Sequence, residues 1–437
     1  MFKRLNYIGS VVIVLTMILT ACQPKPAAKV VINFWVTDSQ AVEGAPKQAE
    51  ADAFTKLHPN VTIHYLWDAT MDKALASIVT NNSPDLLQLS GPQEIGSWAY
   101  SGALQPLDGY FNQSGFDAND ILPGLLKETT WNGKVYGLPC CTDMSMLYYN
   151  ADMFKAAGLD PSKPPTTTEE LLDDAAKLTV LNSDGTIKQL GWLPDWAWTH
   201  VGGDGSISIR FGAPFFHADG TPGFDDPRWV EVFNFAKSVY DKYGASNIKS
   251  FKAGFGGYGT AQDPLCVGKL AMSYDGEWQT GVFQKTCPNV DIRVAPFPYP
   301  SKYADLKNNF EMGGTTIVIP AKAPNKAEAW QYLAFIEEPQ NIAMFCMAPT
   351  TGAISSSQKA LALYDTYKGN FPADYKSFID LALYAKPTVV GASPISDEEF
   401  TELSNTEELI YSGQVSVAQG LKDLQAKLMT DYKDKVK

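Results

Sequence analysis

The sequence is short of the side chains that build metal centres. Its 437 residues include four histidines, at 58, 64, 200 and 217, and no two form an H-x-x-x-H pair. Six cysteines are present, but none falls in the paired C-x-x-C spacing of a zinc site. No metal and no cofactor are expected. There is no G-x-S-x-G nucleophile elbow and no other recognisable catalytic block, so no enzymatic role is expected either. Positive charge is scarce: 35 Lys and Arg stand against 48 Asp and Glu. Phosphate backbones are bound by Lys and Arg, so this balance argues against a nucleic-acid partner. Internal repeats and low-complexity tracts are missing. One glycine-rich run, Gly254 to Gly259, formally fits G-x-G-x-x-G. It lacks the preceding strand and the spaced acidic residue of a dinucleotide site, and reads as a surface loop.

What is present begins at the N-terminus. Lys3 and Arg4 precede an apolar run from about Tyr7 to Leu19, followed by Leu19-Thr20-Ala21-Cys22. This order is that of a secretory signal with small residues at its cleavage site. The run is short for a bilayer span, which takes roughly 20 residues. It resembles a bacterial lipoprotein signal ending in a Leu-x-Ala-Cys box, and that resemblance implies a diacylglyceryl group on Cys22. Residues 1–21 are then the signal peptide and 22–29 a tether. The signal carries two basic and no acidic residues, so the remainder has 33 basic against 48 acidic, a net charge of −15. Roughly 410 residues are long for one core, so two lobes are expected.

From Val30 onward, short apolar β-branched runs alternate with helical periodicity. Strands are expected over Val30–Trp35, Val61–Tyr65 and Asp85–Leu89, with helices between them over Ala45–Leu57 and Met71–Thr80. Asn132-Gly133 marks a hairpin. Thr166 to Glu169 reads as a capping box whose capping Thr is not fixed. Asp226-Pro227 opens a helix to Tyr243 with Val230, Phe233, Phe235, Ala236 and Tyr240 on its apolar side. Further strands are expected over Leu270–Tyr274, Asp291–Phe297 and Thr315–Ile319, and helices over Asn325–Glu337 and Leu409–Met429. The alternation argues for an α/β protein with covered sheets.

Four blocks, in order, carry a family resemblance. The first runs from Pro84-Asp85-Leu86 through Trp98 to Asp108. The second runs from Trp131-Asn132-Gly133-Lys134-Val135-Tyr136-Gly137-Leu138-Pro139 through Tyr148-Tyr149-Asn150-Ala151-Asp152 to Leu171. The third is Gly268-Lys269-Leu270-Ala271-Met272 with Gly276-Glu277-Trp278. The fourth is Gly313-Gly314, Ala329-Trp330 and Gly413 to Leu421. Together they resemble the extracellular solute-binding proteins of carbohydrate ABC transporters, the group that includes maltose-binding protein. The resemblance implies a two-lobed periplasmic-binding-protein type II fold with a ligand cleft between the lobes. One lobe would hold 30–141 and 311–348, the other 142–310 and 349–437. It implies a monomer on the outer face of the bacterial cytoplasmic membrane, capturing a mono- or oligosaccharide and delivering it to two permease subunits.

Sugars offer hydroxyl edges, which polar side chains bind, and apolar CH faces, which aromatic rings cover. Loops after strands supply such groups. In the first lobe these are Trp35, Asp38 and Ser39, then Trp67 and Asp68, then Gln88, Ser90, Gly91 and Gln93. In the second lobe the resemblance puts Asp143 where the family carries a ligand-contacting carboxylate, and Trp278 where a stacking Trp follows the Gly of the third block. Asp275 precedes it, Gly313 and Gly314 belong to the fourth block, and Phe400 stands roughly where another stacking aromatic sits. Asp195, Trp196 and Trp198 lie in a segment with three Trp in seven residues. The alternative there is that alternate rings pack into the lobe.

With Cys22 lipidated, five cysteines remain. Cys266 and Cys287 each precede a strand, and a disulfide is expected if those strands are parallel neighbours whose Cα atoms come within about 7 Å. Cys346 pairs with Cys140 or Cys141 in a second candidate bridge; the spacing does not choose between them. Three rival functions remain: a non-sugar solute in the same fold, a sensory or adhesive lipoprotein, and a lipid-anchored glycoside hydrolase.

Overall fold

A computed structural model describes residues 28–80, 82–114, 116–122, 124–196, 207–217, 219–372, 374–384, 386–388 and 390–436. Strands β1 (Val30–Val36), β2 (Val61–Leu66) and β3 (Leu86–Leu89) alternate with helices α1 (Gln40–Leu57) and α2 (Met71–Val79); α3 (Gln93–Tyr100) follows. Next come β4 (Gly137–Pro139), β5 (Cys141–Thr142), β6 (Ser145–Asn150), α4 (Thr168–Leu178), β7 (Val180–Leu181), β8 (Ile187–Trp192) and α5 (Pro227–Tyr243). Then follow β9 (Leu270–Gly276), α6 (Trp278–Thr286), β10 (Ile292–Ala295), β11 (Asn309–Glu311), β12 (Thr316–Val318) and α7 (Lys326–Ile336). The chain closes with β13 (Ile354–Ser355), β14 (Lys386–Thr388), α8 (Ser396–Tyr411) and α9 (Val417–Lys435).

Two five-stranded sheets result, in the orders β2-β1-β3-β12-β4 and β10-β6-β9-β8-β7. In the first, β1 pairs in parallel with β2 and β3, while β12 runs antiparallel to β3 and β4. The pleat sorts its side chains. Ile32, Phe34, Val36 and Leu86 join the larger core cluster, while Leu87 and Leu89 join a smaller cluster on the opposite face with Ile78, Ile95 and Trp98. Both faces are thus covered, as buried parallel strands require.

The chain crosses between sheets at 140–144, where it lies against Gly313 and Gly314 on its return. Cys140 donates its N–H to Thr315 (3.0 Å), and the Thr142 hydroxyl donates to Gly313 O (3.0 Å). A Cβ on Gly314 would stand 2.9 Å from Asp143 N and Cys141 O, so glycine lets the two strands touch. Two small pairings, β5 with β13 and β11 with β14, brace the same region.

Local signals set several boundaries. Thr167 accepts from Glu170 N while the Glu170 carboxylate accepts from Thr167 N, so Thr167 caps α4. Asp226 caps α5 with Pro227 in its first turn. Asn132 and Gly133 take φ of 48° and 72°, the left-handed pair that a tight hairpin needs. Other expectations need correction. Val230 is on the exposed side of α5, and its apolar face is carried by Trp229, Val232 and Val239 with the remaining expected residues. The closing helices begin earlier than the periodicity from Leu409 indicated. Helix α8 starts at Ser396, and its Asp397 accepts from Ser97 on α3 (2.9 Å), so the C-terminal helices touch both lobes.

Cys266 is bonded to Cys287 with Cα atoms 5.7 Å apart. The strands that follow them, β9 and β10, are not neighbours, because β6 lies between and pairs antiparallel with both. Both strands therefore run the same way and begin on one edge, and the loops ahead of them close the gap. Cys141, not Cys140, is bonded to Cys346; Cys140 is a buried thiol.

Candidate ligand cleft

The first lobe offers polar groups at two helix starts. A cavity of about 360 Å³ is lined by Thr37, Asp68, Ala69, Thr70, Met71, Ser90, Gly91, Gln93 and Glu94. Four expected residues meet there: Asp68, Ser90, Gly91 and Gln93. The Ser90 hydroxyl donates to Thr37 Oγ1 at 2.9 Å. A Cβ on Gly91 would fall 2.1 Å from Gln93 Oε1, so the glycine makes room for the Gln93 side chain. Asp68 takes φ 53° and donates its N–H to Asp38 O (3.3 Å), which ties the two loops together. Ser39 holds the N-cap position of α1 without a capping hydrogen bond from its hydroxyl.

Other first-lobe residues sit elsewhere. Trp35 lies inside β1, opposite Leu66 and Leu87, against the smaller core cluster, with the Lys73 ammonium 5.5 Å from its ring. Trp67 leans on Tyr65, ring centroids 5.1 Å apart. Gln88 is fully buried on the α1 side of β3, where its amide donates to Asp38 Oδ2 (2.9 Å) and to the Glu43 carboxylate (2.9 Å). It holds Asp38 from behind and, in this conformation, does not reach solvent. The pleat is the reason: Gln88 shares Leu86's face, not that of Leu87 and Leu89. Glu43, which the sequence did not single out, belongs to the same network, and burial pushes its pKa up.

The second lobe offers rings. Trp278 opens α6 half-buried, its indole N–H donating to Tyr258 OH at 2.9 Å. Tyr258 OH donates in turn to Asp275 Oδ1 (2.8 Å), which also accepts from Gly276 N (2.8 Å). Asp275 is 1% exposed, so it stands behind the two rings. A Cβ on Gly276 would lie 2.1 Å from the Trp278 ring; glycine lets the indole fold back over its own turn. Trp196 is half-buried and meets Phe255 edge-on, centroids 5.0 Å apart. Asp195 accepts from Tyr240 OH (2.6 Å) and pairs with Lys252 (2.6 Å), so it orders the segment leading to Trp196. Trp198 lies outside the described residues. Phe400 is 40% exposed on α8.

Between the lobes, Asp143 bridges to Gly313 by backbone pairing. Glu277, fully buried, accepts from Met144 N (3.0 Å). Burial and the neighbouring Asp143 charge hold its pKa well above the usual carboxylate range. The shift favours the protonated form of Glu277, which suits a carboxyl that shares its surroundings with Asp143. Arg210, the large buried cation here, donates to the carbonyls of Pro298 (3.4 Å), Lys307 (3.2 Å) and Asn309 and lies 4.0 Å from the Phe310 ring. Its donors are thereby engaged within the protein.

Polar groups like those of the first-lobe cavity and rings like those of the second lobe are of the kinds that bind a solute with hydroxyl edges and apolar faces. The family model described as bacterial extracellular solute-binding protein matches residues 37–343. A binding protein of Brucella abortus (strain 2308) is 25% identical over 409 residues, covering 91% of this chain and 92% of that one. The sn-glycerol-3-phosphate-binding periplasmic protein of Escherichia coli (strain K12) is 26% identical over 294 residues, 63% of each chain. Among solved structures, CpMnBP1 with mannobiose bound aligns with a TM-score of 0.77 and 28% identity, covering 92% of this chain and 100% of that one. The chain belongs to the bacterial extracellular solute-binding protein family.

Proposed function

We propose that this protein captures an oligosaccharide outside the cytoplasm and delivers it to the permease subunits of an ABC importer, anchored through lipid on Cys22. What supports this reading is that polar groups gather at one lobe and braced rings at the other. The first lobe supplies Asp68, Ser90 and Gln93, and the second supplies Trp278 and Trp196. Hydroxyls and CH faces of one ligand satisfy both at once, so ligand favours the closed arrangement by touching both lobes. Asp143, Ser39 and Phe400 are contacts on the same reading. The likeness to a mannobiose-bound protein supports short sugar chains as the first ligands to try. No step of this role needs bond cleavage by the protein.

One relative binds sn-glycerol 3-phosphate, and the starts of α2 and α3, whose dipoles suit an anion, do meet at the first-lobe cavity. Asp68 and Glu94 line the same cavity and oppose an anion there. In the second lobe, Lys252 pairs with Asp195 and Arg210 donates to backbone carbonyls. The neutral sugar is therefore the better fit.

The test is a thermal-shift screen of the chain from about residue 29 with mannobiose, mannotriose, maltose, monosaccharides and glycerol 3-phosphate. A ligand of the native state raises the melting temperature by mass action. A shift with one sugar class, with the sugar recovered intact, supports the proposal. A shift with glycerol 3-phosphate alone refutes the sugar reading, and release of smaller sugars makes the protein an enzyme.

A further inference from the structure

The glycine-rich run 254–259 has no part in the function so far. Its two large side chains face the two tryptophans assigned to the cleft. Phe255 meets Trp196 edge-on at 5.0 Å, and Tyr258 accepts the Trp278 indole N–H at 2.9 Å. The intervening glycines make this reach feasible. A Cβ on Gly256 would overlap Gln262 O at 2.3 Å, so the loop packs against its own return only where no side chain intervenes. Asp263, fully buried, pins that return by accepting from Gly259 N (3.1 Å) and Leu265 N (3.0 Å). Lys269 donates to Gly254 O at the other end.

The loop is also fastened twice to the helix that presents Trp278. At the start of α6 the link is the hydrogen-bonded chain from Trp278 through Tyr258 to Asp275, whose second oxygen accepts from Gln279 (3.1 Å). At the end of α6 the link is the Cys266–Cys287 disulfide. An indole ring that ends a turn has two free torsions. Fixing its N–H and the far end of its helix removes both the ring's rotation and the helix's tilt.

We infer that the 254–266 loop is the positioning element of the aromatic wall, with Tyr258 orienting Trp278 and Phe255 orienting Trp196, and that it sets the preference for ligands of more than one sugar ring. This rests on the sugar-binding reading in placing both tryptophans at the ligand. Tyr258 acts through Trp278, so it is a positioning residue. A ligand long enough to cover both rings gains from their fixed relation, whereas a monosaccharide uses one ring and gains less.

The experiment compares the mature protein with its Tyr258→Phe and Trp278→Ala variants, by calorimetric titration with mannobiose and mannose and by the indole N–H signals of ¹⁵N-tryptophan-labelled protein. Tyr258→Phe keeps the ring and removes the hydroxyl. Without any ligand, it should move the Trp278 indole signal and leave that of buried Trp192 in place. Mannobiose binding should weaken about two- to tenfold, the equivalent of one hydrogen bond, and mannose binding less. An unmoved Trp278 signal overturns the inference whatever the ligand. So does unchanged mannobiose affinity in Tyr258→Phe while Trp278→Ala loses binding. If Trp278→Ala binds mannobiose as well as the parent protein, the assignment of the cleft itself fails, and the two failures are thereby told apart.

Discussion

The surroundings of α1 in the first lobe and of Trp278 in the second hold their polar groups by different means. In the first, charges are drawn inside. Lys47, 1% exposed, lies 3.5 Å from Glu43 and 4.2 Å from the Phe345 ring, with Glu50 and Glu337 close by. In the second, the polar atoms around Trp278 are links in a chain of hydrogen bonds that runs through the half-exposed Tyr258 and ends on buried Asp275. A charged knot is sensitive to the loss of any one member, because what remains is unpaired in a low-dielectric interior. A hydrogen-bonded aromatic chain costs less to cut but sets where a ring points. The first lobe should therefore govern stability and its pH response, and the second should govern affinity.

The largest effect should come from cutting the knot. Lys47→Met leaves Glu43 without its cation and should lower unfolding free energy by about 3–5 kcal/mol in urea titrations. A loss below about 1 kcal/mol would show that the knot is not a stability element and would erase the contrast. The pH response follows from Glu50. Its folded-state pKa is raised from 4.5 to about 8, chiefly by burial, against the pull of Lys47 and with the added push of Glu43. The raised pKa of Glu337 points the same way. The other titratable groups sensing Glu50 are Tyr65, Tyr332 and Cys140, all held neutral by burial. Between pH 4.5 and 8 the native state holds a proton on Glu50 that the unfolded state has released. Stability therefore falls as pH rises through that window, by up to about 1.4 kcal/mol per pH unit, and levels off above it. Glu50→Gln should flatten the fall. A native protein equally stable at both ends of the window would contradict this.

What the sequence showed and what it hid divide along a physical line. Period and punctuation are local, so Asp226-Pro227, Asn132-Gly133 and four strands of the first sheet were legible, while the short β4 was not. The insertion of β6 between β9 and β10 is not local, and the pairing of Cys266 with Cys287 was expected on the wrong geometry. Choosing Cys141 over Cys140 for Cys346 needed the direction of a side chain across a crossing strand. The loops around the cleft were legible as positions after strands; the direction of each side chain was not. Gln88 and Asp275 sit in those places yet point inward. Tyr258 and Phe255 were hidden because a glycine-rich run carries no periodicity to say what it leans on.

On the affinity side, Trp278→Ala should weaken sugar binding tenfold or more, about 1.4 kcal/mol. Its melting temperature without ligand should change little, because the ring is half-buried at a helix start. The smallest effect belongs to the polar lobe. Ser90 is exposed, and its hydroxyl makes one bond to Thr37 (2.9 Å). Ser90→Ala should leave stability within about 0.5 kcal/mol, the usual range for a surface change. In titrations with the same sugar it should weaken binding about two- to fivefold, less than a full hydrogen bond, since water replaces part of what is lost. The order of the two variants is the decisive quantity. Should Ser90→Ala cost more affinity than Trp278→Ala, the polar pocket would be the anchor and the aromatic wall its cover, which reverses the roles assigned to the lobes.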